Sequence, residues 1–315
     1  MMSLSQATMS TSKSQKIEPF QIRQGMLALE LGSTDNKTLE YLDFLTGQVP
    51  TGAIYFLHVL PRFDVLNSML GREAEGMISN YEINDEVVTK MDREIRARMS
   101  THEGMHVEFD VKEGSPLEQL LEDAKDVNAD LVIIGQKSGV SRHGILAKNL
   151  ARRAPGNTLI VPDRSKVQLK RILVPIDFSP HSINAMRNAL ALNESLETPA
   201  EIVAVNIYEM PNLSVYKIQR TRAQFEKMLR KDHEEAFEAF LNTHFPDQKE
   251  QIRIELIMQE APGIAQYLME FATAEEADMI VMGAKGHSKV ELLLLGSVTE
   301  KLLAINEHIP TLVVK

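Results

Sequence analysis

Three glycines and a serine near the end of the chain have the spacing of an anion-binding loop. Gly283-x-x-Gly286 is followed, after nine intervening residues, by Gly296-Ser297. Glycine lets backbone N–H groups approach an anion closely, and the N-terminus of a helix adds a favourable partial positive charge. The segment follows an apolar, strand-like run that ends at Met282, and a helix-like segment comes after it. This pattern predicts a seat for the phosphate groups of a nucleotide.

A second candidate group is the carboxylate of Asp177, which follows another apolar run. In open α/β sheets, ligands bind beyond the carboxyl ends of the strands. Asp177 could there accept hydrogen bonds from a ribose hydroxyl or a base. Structural alternatives exist for both motifs: Asp177 or Ser179 could cap the next helix, and Ser297 with Glu300 spells a capping box.

The composition is that of a soluble globular protein with room for two domains. The 315 residues are 43% hydrophobic and 25% charged and include no cysteine, which excludes disulfides and thiolate metal sites and fits a reducing cytoplasm. The net charge of -10 argues against general binding to nucleic acid or to an anionic membrane. No apolar run is long enough to suggest a spanning helix. A phosphate site must therefore be built locally, and Lys285 and His287 in the glycine loop could contribute to it.

The chain contains an internal repeat. Residues 129–137 (ADLVIIGQK) match residues 277–285 (ADMIVMGAK) at an offset of 148 residues. In each half, apolar runs alternate with helical patterns, which predicts parallel strands joined by helical crossovers. We therefore predict an α/β fold with two tandem domains, each a five-stranded, doubly wound sheet. The predicted segments are a disordered leader over residues 1–20 and domains over residues 21–165 and 166–315.

The strand-like runs place the junction between the two halves. They lie near residues 26–31, 54–60, 106–111, 130–134 and 158–161, and again near 171–176, 201–207, 252–258, 278–282 and 311–315. Apolar edge strands need cover, so the predicted seam joins Leu159–Val161 to Leu312–Val314. Pairing of the two halves inside the chain is thus expected, and a homo-oligomer is left open.

On these motifs the second half resembles the universal stress protein family, whose nucleotide-binding branch carries Gly-x2-Gly-x9-Gly-Ser/Thr. The full chain resembles the tandem two-domain members. The resemblance implies a Rossmann-like or flavodoxin-like fold, five-stranded and mostly parallel with helices on both faces, that binds ATP with or without Mg²⁺. The predicted nucleotide-binding residues are Pro175, Asp177, Ile207, Met282, Gly283, Lys285, Gly286, Gly296, Ser297, Val298 and Thr299.

The first half departs from this pattern. In an ungapped alignment from Gly135, Lys148 replaces Gly296, and Leu31 stands where the second half has Asp177. A lysine side chain obstructs the close backbone approach that a phosphate needs. We therefore predict a degenerate site in the first half and one nucleotide per chain.

Three cations leave a different role open for the first half. Lys148, Arg152 and Arg153 would fall in the first turn of the predicted helix. Cations there are unfavourable for the helix dipole but could hold an anion. The alternative is a solvated surface or a role at the domain interface.

We expect a cytoplasmic stress-response protein that binds ATP, an adenine nucleotide, as a regulatory ligand and is not an enzyme. Hydrolysis requires groups that orient water and stabilise the leaving phosphate, and Asp177 and Lys285 are the visible candidates. A slow ATPase and a nucleotide-independent interaction scaffold are the alternatives. His102 and His106 have a metal-ligand spacing for one helix face, but His106 begins a predicted strand, so no metal site is expected.

Overall fold

The structure, a computed structural model, describes residues 17–60, 80–100, 104–139, 143–210, 222–286 and 295–315. Most of the predicted leader, residues 1–16, lies outside these ranges. Each half of the chain alternates strands and helices, as the apolar patterns predict.

The described part of the first half contains five strands with helices between them. The strands are β1 (Ile22–Leu29), β2 (Thr51–Leu60), β3 (His106–Glu113), β4 (Leu131–Gln136) and β5 (Asn157–Pro162). The helices are α1 (Thr34–Gln48), α2 (Asn80–Arg96), α3 (Pro116–Asp126) and α4 (His143–Arg153). Strand β1 begins before the predicted run because the polar residues Arg23 and Gln24 interrupt its apolar signal.

The second half repeats this arrangement. Its strands are β6 (Arg171–Pro175), β7 (Glu201–Glu209), β8 (Ile252–Gln259), β9 (Met279–Gly283) and β10 (Thr311–Val314). Its helices are α5 (Pro180–Ser195), α6 (Arg222–His244), α7 (Ile264–Ala274) and α8 (Ser297–Ile305).

The ten described strands form one continuous sheet, in the order β3-β2-β1-β4-β5-β10-β9-β6-β7-β8. Neighbouring strands are parallel except at the junction, where β5 and β10 pair antiparallel with Leu159 opposite Leu312. Each half has the same internal strand order, which confirms the predicted pair of doubly wound domains. The antiparallel pairing also confirms the seam predicted from the apolar edge strands.

The core has one layer on each face of the sheet, and both layers run through the two halves. Leu159 and Leu312 belong to one layer, whereas their neighbours Ile160 and Val313 belong to the other. Successive side chains of a strand point to opposite faces, so these short apolar strands bury residues on both sides. Such burial is expected of a sheet covered by helices on both faces.

Side chains from each half cap a helix of the other half. The Gln136 side-chain Nε2 donates to the carbonyl oxygens of Leu303 at 3.2 Å and Asn306 at 3.1 Å, at the end of α8. In the opposite direction, Lys315 Nζ donates to the carbonyl oxygen of Ala151, near the end of α4, at 2.5 Å. These contacts satisfy carbonyl groups that a helix end leaves without a partner.

The register of the strands defines equivalent positions in the two halves. Gly25 of β1 pairs with Leu131 of β4, and Ile172 of β6 pairs with Met279 of β9. Leu131 and Met279 occupy the same place in the sequence repeat. Gly25 and Ile172 are therefore equivalent.

Glu30, and not Leu31, occupies the position of Asp177. Glu30 and Asp177 each lie five residues beyond those equivalent positions of β1 and β6. The next residue has left-handed backbone in both halves, with φ of 56° at Leu31 and 62° at Phe178. The predicted match of Leu31 with Asp177 is wrong, because the point at which the chain leaves each strand was not visible in the sequence.

Gly144, and not Lys148, occupies the position of Gly296. The segment from Gly135 to Gly144 is four residues shorter than the one from Gly283 to Gly296, so an ungapped alignment fails. The buried residues of the two helices establish the correct offset of 152 residues, with Ala147, Leu150 and Ala151 in α4 corresponding to Thr299, Leu302 and Leu303 in α8.

The cations of α4 are also placed differently from the prediction. Arg152 and Arg153 lie in the last turn of the helix, not in the first. Cations at that end interact favourably with the helix dipole. Arg152 forms an ion pair with Glu300 of the second half, with 3.5 Å between Nη2 and Oε2. The premise of the anion site was therefore wrong, and Arg152 contributes to the domain interface.

Candidate functional site

A cavity of about 290 Å³ lies in the second half, where β6, β7 and β9 end and α7 and α8 begin. The structure brings all the predicted nucleotide-binding residues to its wall: Pro175, Asp177, Ile207, Met282, Gly283, Lys285, Gly286, Gly296, Ser297, Val298 and Thr299. Their role in binding stays a prediction. His287, predicted as a contributor from the same loop, lies outside the described residues.

Sequence reasoning missed five residues of the cavity wall. These are Ile176, Ser182, Val205, Ile264 and Leu268. Two signals could have found some of them. Val205 lies two residues before Ile207 and therefore faces the same side of β7. Ile264 and Leu268 are four residues apart and therefore lie on the same face of α7.

The three glycines of the motif have different structural roles. A Cβ on Gly283 would lie 2.9 Å from the backbone oxygen of His181, so this glycine allows α5 to pack against β9. A Cβ on Gly286 would lie 2.8 Å from Asp177 Oδ2, so that glycine lets the loop approach the acid. Around Gly296, the nearest atom to such a Cβ is Lys285 Cα at 3.4 Å, which leaves room. Gly296 is therefore the glycine that the fold itself requires least.

Helix α8 begins at Ser297, with Gly296 as the residue before it. The capping-box alternative is therefore wrong, because Ser297 is inside the helix and does not cap it. Thr299 makes the local contact instead, since its hydroxyl donates to the carbonyl oxygen of Gly283 at 3.0 Å. Glu300 interacts with Arg152. The exposed Ser297 side chain lines the cavity at the positive end of the helix dipole.

Asp177 and Ser179 form a linked turn between β6 and α5. Ser179 is the helix cap, because its Oγ accepts a hydrogen bond from the N–H of Ser182 at 3.2 Å. Asp177 Oδ1 accepts from the N–H of Ser179 at 3.0 Å. The capping alternative is thus confirmed for Ser179, while Asp177 supports the turn and also lines the cavity.

Phe178 holds this turn in place. Its left-handed φ of 62° is unfavourable for a residue with a side chain. The ring compensates by packing edge-on against Phe237 and Phe240 of α6, with ring centroids 5.5 and 5.6 Å away. The anchored ring fixes the backbone that presents Asp177 to the cavity.

The cavity has an apolar end and a polar end. Val205, Ile207 and Leu268 contribute to the apolar wall, and β7 is tied to β6 there because Asn206 Nδ2 donates to the carbonyl oxygen of Ile176 at 2.8 Å. The polar end contains the glycine loop and Lys285. Such a wall can hold a flat apolar group and an anionic group at the same time.

A second cation lies within electrostatic range of the polar end. Burial lowers the pKa of Lys315 to about 8, and the charge of Lys285 contributes to this shift. The interaction is repulsive while both amines are protonated. An anion near Lys285 would offset it.

Among the described residues, no three His, Cys, Asp or Glu side chains are placed to hold a metal ion. His106 is the first residue of β3, as predicted, and its proposed partner His102 lies outside the described ranges. Within the residues that the structure describes, no helix is both long and apolar enough to span a membrane.

Comparison with known proteins identifies the family. The model of the universal stress protein family matches residues 26–162 and again residues 168–315. A universal stress protein of Methanocaldococcus jannaschii is 29% identical over 147 residues, which are 46% of this chain and 82% of that protein.

Solved structures support the same architecture over nearly the whole chain. A universal stress protein from Archaeoglobus fulgidus aligns with a TM-score of 0.61 at 18% identity, covering 94% of this chain and 97% of that one. A functionally unknown protein from Pseudomonas aeruginosa aligns with a TM-score of 0.61 at 16% identity, covering 93% and 92%. At these identities the alignments establish the fold alone. The two matches of the family model show that this chain is a tandem member of the universal stress protein family.

Proposed function

We propose that the protein is a cytoplasmic stress-response protein that binds ATP, with or without Mg²⁺, in its second half as a regulatory ligand. The observation that carries the proposal is that one cavity has in its wall every residue of the glycine motif together with Asp177 and Ile207. Its volume of about 290 Å³ is near the lower end of the range for small-molecule sites.

The polar end suits the phosphate groups. The N-terminus of α8 supplies a positive partial charge and the backbone N–H groups of its first turn, which begins at Ser297; the N–H of Gly296 itself donates to the carbonyl oxygen of Ala284 at 2.8 Å. Lys285 adds a formal charge from the loop. These local contributions matter because the chain as a whole carries a net charge of -10.

The remaining wall suits the nucleoside. Asp177 is positioned to accept hydrogen bonds from ribose hydroxyls, since its carboxylate lies close to Gly286 at the edge of the polar end. Ile207, with Val205 and Leu268, offers an apolar surface for the base. Adenine thus contacts side chains that cannot themselves select it by hydrogen bonding, so selection would rest on shape and backbone contacts.

A regulatory role is favoured over turnover. The carboxylate that would have to orient an attacking water is Asp177, and its Oδ1 already accepts the N–H of Ser179. In this proposal the other acceptor positions of Asp177 hold the ribose, so turnover would need a further group to orient the attacking water. A slow ATPase remains the second candidate and a nucleotide-independent scaffold the third.

Calorimetric titration of the intact protein with ATP tests the proposal. We expect saturable binding of one nucleotide per chain, with release of unchanged ATP after incubation. Absence of binding at millimolar ATP would leave the scaffold as the better account. Turnover that Asp177→Ala abolishes while surface variants retain it would favour the enzyme.

A further inference from the structure

Helix α8 connects the polar end of the nucleotide cavity to the first half of the chain. The helix begins at Ser297, in the cavity wall, and ends at Ile305, close to the loop that follows β4. Its nine residues span about 14 Å. A contact that holds the far end of this short helix therefore also fixes the position of its N-terminus.

The loop after β4 holds Glu307, two residues beyond the end of α8. The N–H of Gly139 donates to Glu307 Oε1 at 2.9 Å, and Arg164 Nη1 donates to Oε2 at 3.0 Å. Ser138 Oγ lies 3.0 Å from the carbonyl oxygen of Glu307. The first half thus contacts this residue at its carboxylate and at its backbone.

Two further side chains of the first half contact α8 itself. Gln136 donates to the buried carbonyl oxygens of Leu303 and Asn306 in the last turn. Arg152 forms its ion pair with Glu300 in the first turn. Contacts from the first half therefore extend over the length of the helix. We call the five residues that make them the α8 clamp: Gln136, Ser138, Gly139, Arg152 and Arg164.

A second connection between the halves runs through the backbone of the glycine loop. The N–H of Gly296 donates to the carbonyl oxygen of Ala284 at 2.8 Å, and the N–H of Ala284 donates to the carbonyl oxygen of Val314 at 2.7 Å. The next residue, Lys315, caps α4 of the first half at Ala151. The residue that precedes α8 is thus linked to the first half as well.

The first half uses the loop after β4 for this contact and not for phosphate. It has a cavity at the position that corresponds to the nucleotide cavity, also with a volume of about 290 Å³. Ser138, at the position of Gly286, donates its N–H to Asp163 Oδ1 at 3.1 Å. Together with Glu307, this carboxylate takes the N–H groups that a phosphate would need and would repel it. The loop that binds phosphate in a nucleotide site here binds the end of α8.

We infer that the first half regulates the nucleotide site through the α8 clamp. The inference rests on the proposed binding of ATP at the other end of the helix. The clamp holds α8 in the position in which the N–H groups of its first turn face the cavity, so its release lowers the affinity for ATP. Because coupling between two sites is reciprocal, bound ATP also strengthens the clamp.

Calorimetric titration of clamp variants with ATP tests the inference on the full chain. Glu307→Ala and Gln136→Leu each remove contacts of the clamp, and neither residue is in the described wall of the cavity. We expect each change to raise the Kd for ATP by roughly fivefold or more. Tyr55→Phe is the control, because it removes a buried hydrogen bond to Asp123, outside α8, and should leave the Kd unchanged. If Gln136→Leu does not fold, Glu307→Ala serves alone, since its side chain is partly exposed.

Amide hydrogen exchange, read by NMR, tests the clamp without nucleotide. The N–H of Glu300 donates to the carbonyl oxygen of Gly296 at 2.8 Å and therefore reports on the first turn of α8. We expect Glu307→Ala to speed exchange of this amide by roughly fivefold or more, and Tyr55→Phe not to. In the wild type, saturating ATP should slow exchange of the Gly139 amide at the opposite end of the helix.

The outcomes distinguish this inference from the proposed function. Absence of ATP binding by the wild type would remove both. Binding of ATP with the same Kd in the wild type and in the clamp variants would overturn the inference and leave the proposed function in place. An equal change of Kd or of Glu300 exchange in Tyr55→Phe would also overturn it, because α8 would then respond to a general loss of stability. So would an unchanged rate of Glu300 exchange in Glu307→Ala.

Discussion

Leu159 of β5 and Leu312 of β10 lie opposite each other in the antiparallel junction, and they are the same position of the internal repeat. Leu159 is next to Ile133 in the parallel ladder, and Leu312 is next to Val281, the repeat equivalent of Ile133. A residue that faces its own equivalent marks a local twofold axis. The two halves of the chain are thus arranged as the subunits of a symmetric dimer would be.

The contacts around this axis are not symmetric. Ala151 and Leu303 are equivalent, yet Lys315 caps the first and Gln136 caps the second. Position 284, equivalent to Gln136, is an alanine. The halves have therefore diverged to fit each other.

Removing the cap on α8 should destabilise the interface. Gln136→Leu leaves two buried carbonyl oxygens without a donor, so we expect the free energy of unfolding to fall by about 1–3 kcal/mol. Arg164→Ala removes an exposed ion pair and should cost less than about 1 kcal/mol. Urea denaturation measures both values. Equal effects of the two variants would contradict the importance of the buried cap.

A substitution at Gly296 should weaken ATP binding without disturbing the fold. Gly296→Leu places a side chain beside the proposed phosphate position, so we expect the Kd for ATP to rise by roughly tenfold or more. Gly144→Leu, the equivalent change in the first half, should leave the Kd unaffected. Calorimetry on both variants makes the comparison. A similar loss in Gly144→Leu would mean that the phosphates are not held at α8.

A substitution at Gly283, in contrast, should destabilise the fold. Gly283→Ala would place Cβ 2.7 Å from His181 Cβ and 2.9 Å from its backbone oxygen. Helix α5 must shift, at an expected cost of about 1–3 kcal/mol in unfolding free energy. Gly296→Ala meets no atom closer than 3.4 Å and serves as the control. Thermal unfolding of Gly283→Ala at the wild-type temperature would show that the close approach to α5 is unimportant.

Asp177→Asn should weaken ATP binding while preserving the fold, because the amide oxygen can still accept the hydrogen bond from the N–H of Ser179. We expect a loss of roughly tenfold in affinity, equal to about 1.4 kcal/mol. The dideoxyribose analogue of ATP lacks the hydroxyls that Asp177 is proposed to hold, and its affinity should not change in the variant. An equal loss for both nucleotides would argue that Asp177 acts elsewhere. Glu30→Gln is the matched first-half control.

The lowered pKa of Lys315 predicts that the stability of the protein depends on pH. Its folded pKa of about 8 lies below the ordinary value of 10.5, so the unfolded chain binds more protons between these values. The Lys315 contribution to stability should therefore rise as pH increases from about 8 to about 10. The difference in urea midpoint between wild type and Lys315→Met isolates this contribution from other titrating groups. A difference that stays constant over this window would contradict it.

The sequence predicted the elements and their seam better than it predicted equivalence between the halves. Continuous apolar runs such as Leu131–Ile134 are buried on both faces, so they mark strands reliably. Equivalence depends instead on where the chain leaves each strand and on loop length. The left-handed turn at Leu31 and the shorter segment before Gly144 carry no apolar signal, which is why Glu30 and Gly144 were misplaced.

The candidate site was predictable where it depends on backbone and was missed where it depends on packing. Glycine spacing led to Gly283, Gly286 and Gly296, whose freedom to approach other atoms is a local property. Ile264 and Leu268 have the same periodicity as core residues, and only the position of α7 over the sheet brings them to the cavity wall.

The junction at Leu159 and Leu312 has a consequence for how the two cavities coexist. In a dimer of identical chains, any substitution alters both sites, and the assembly dissociates on dilution. Here the pairing is covalently linked, so one cavity can change its chemistry while its neighbour is preserved. The ratio between the two kinds of cavity is then one to one at every protein concentration, without any need to sort like subunits from unlike ones.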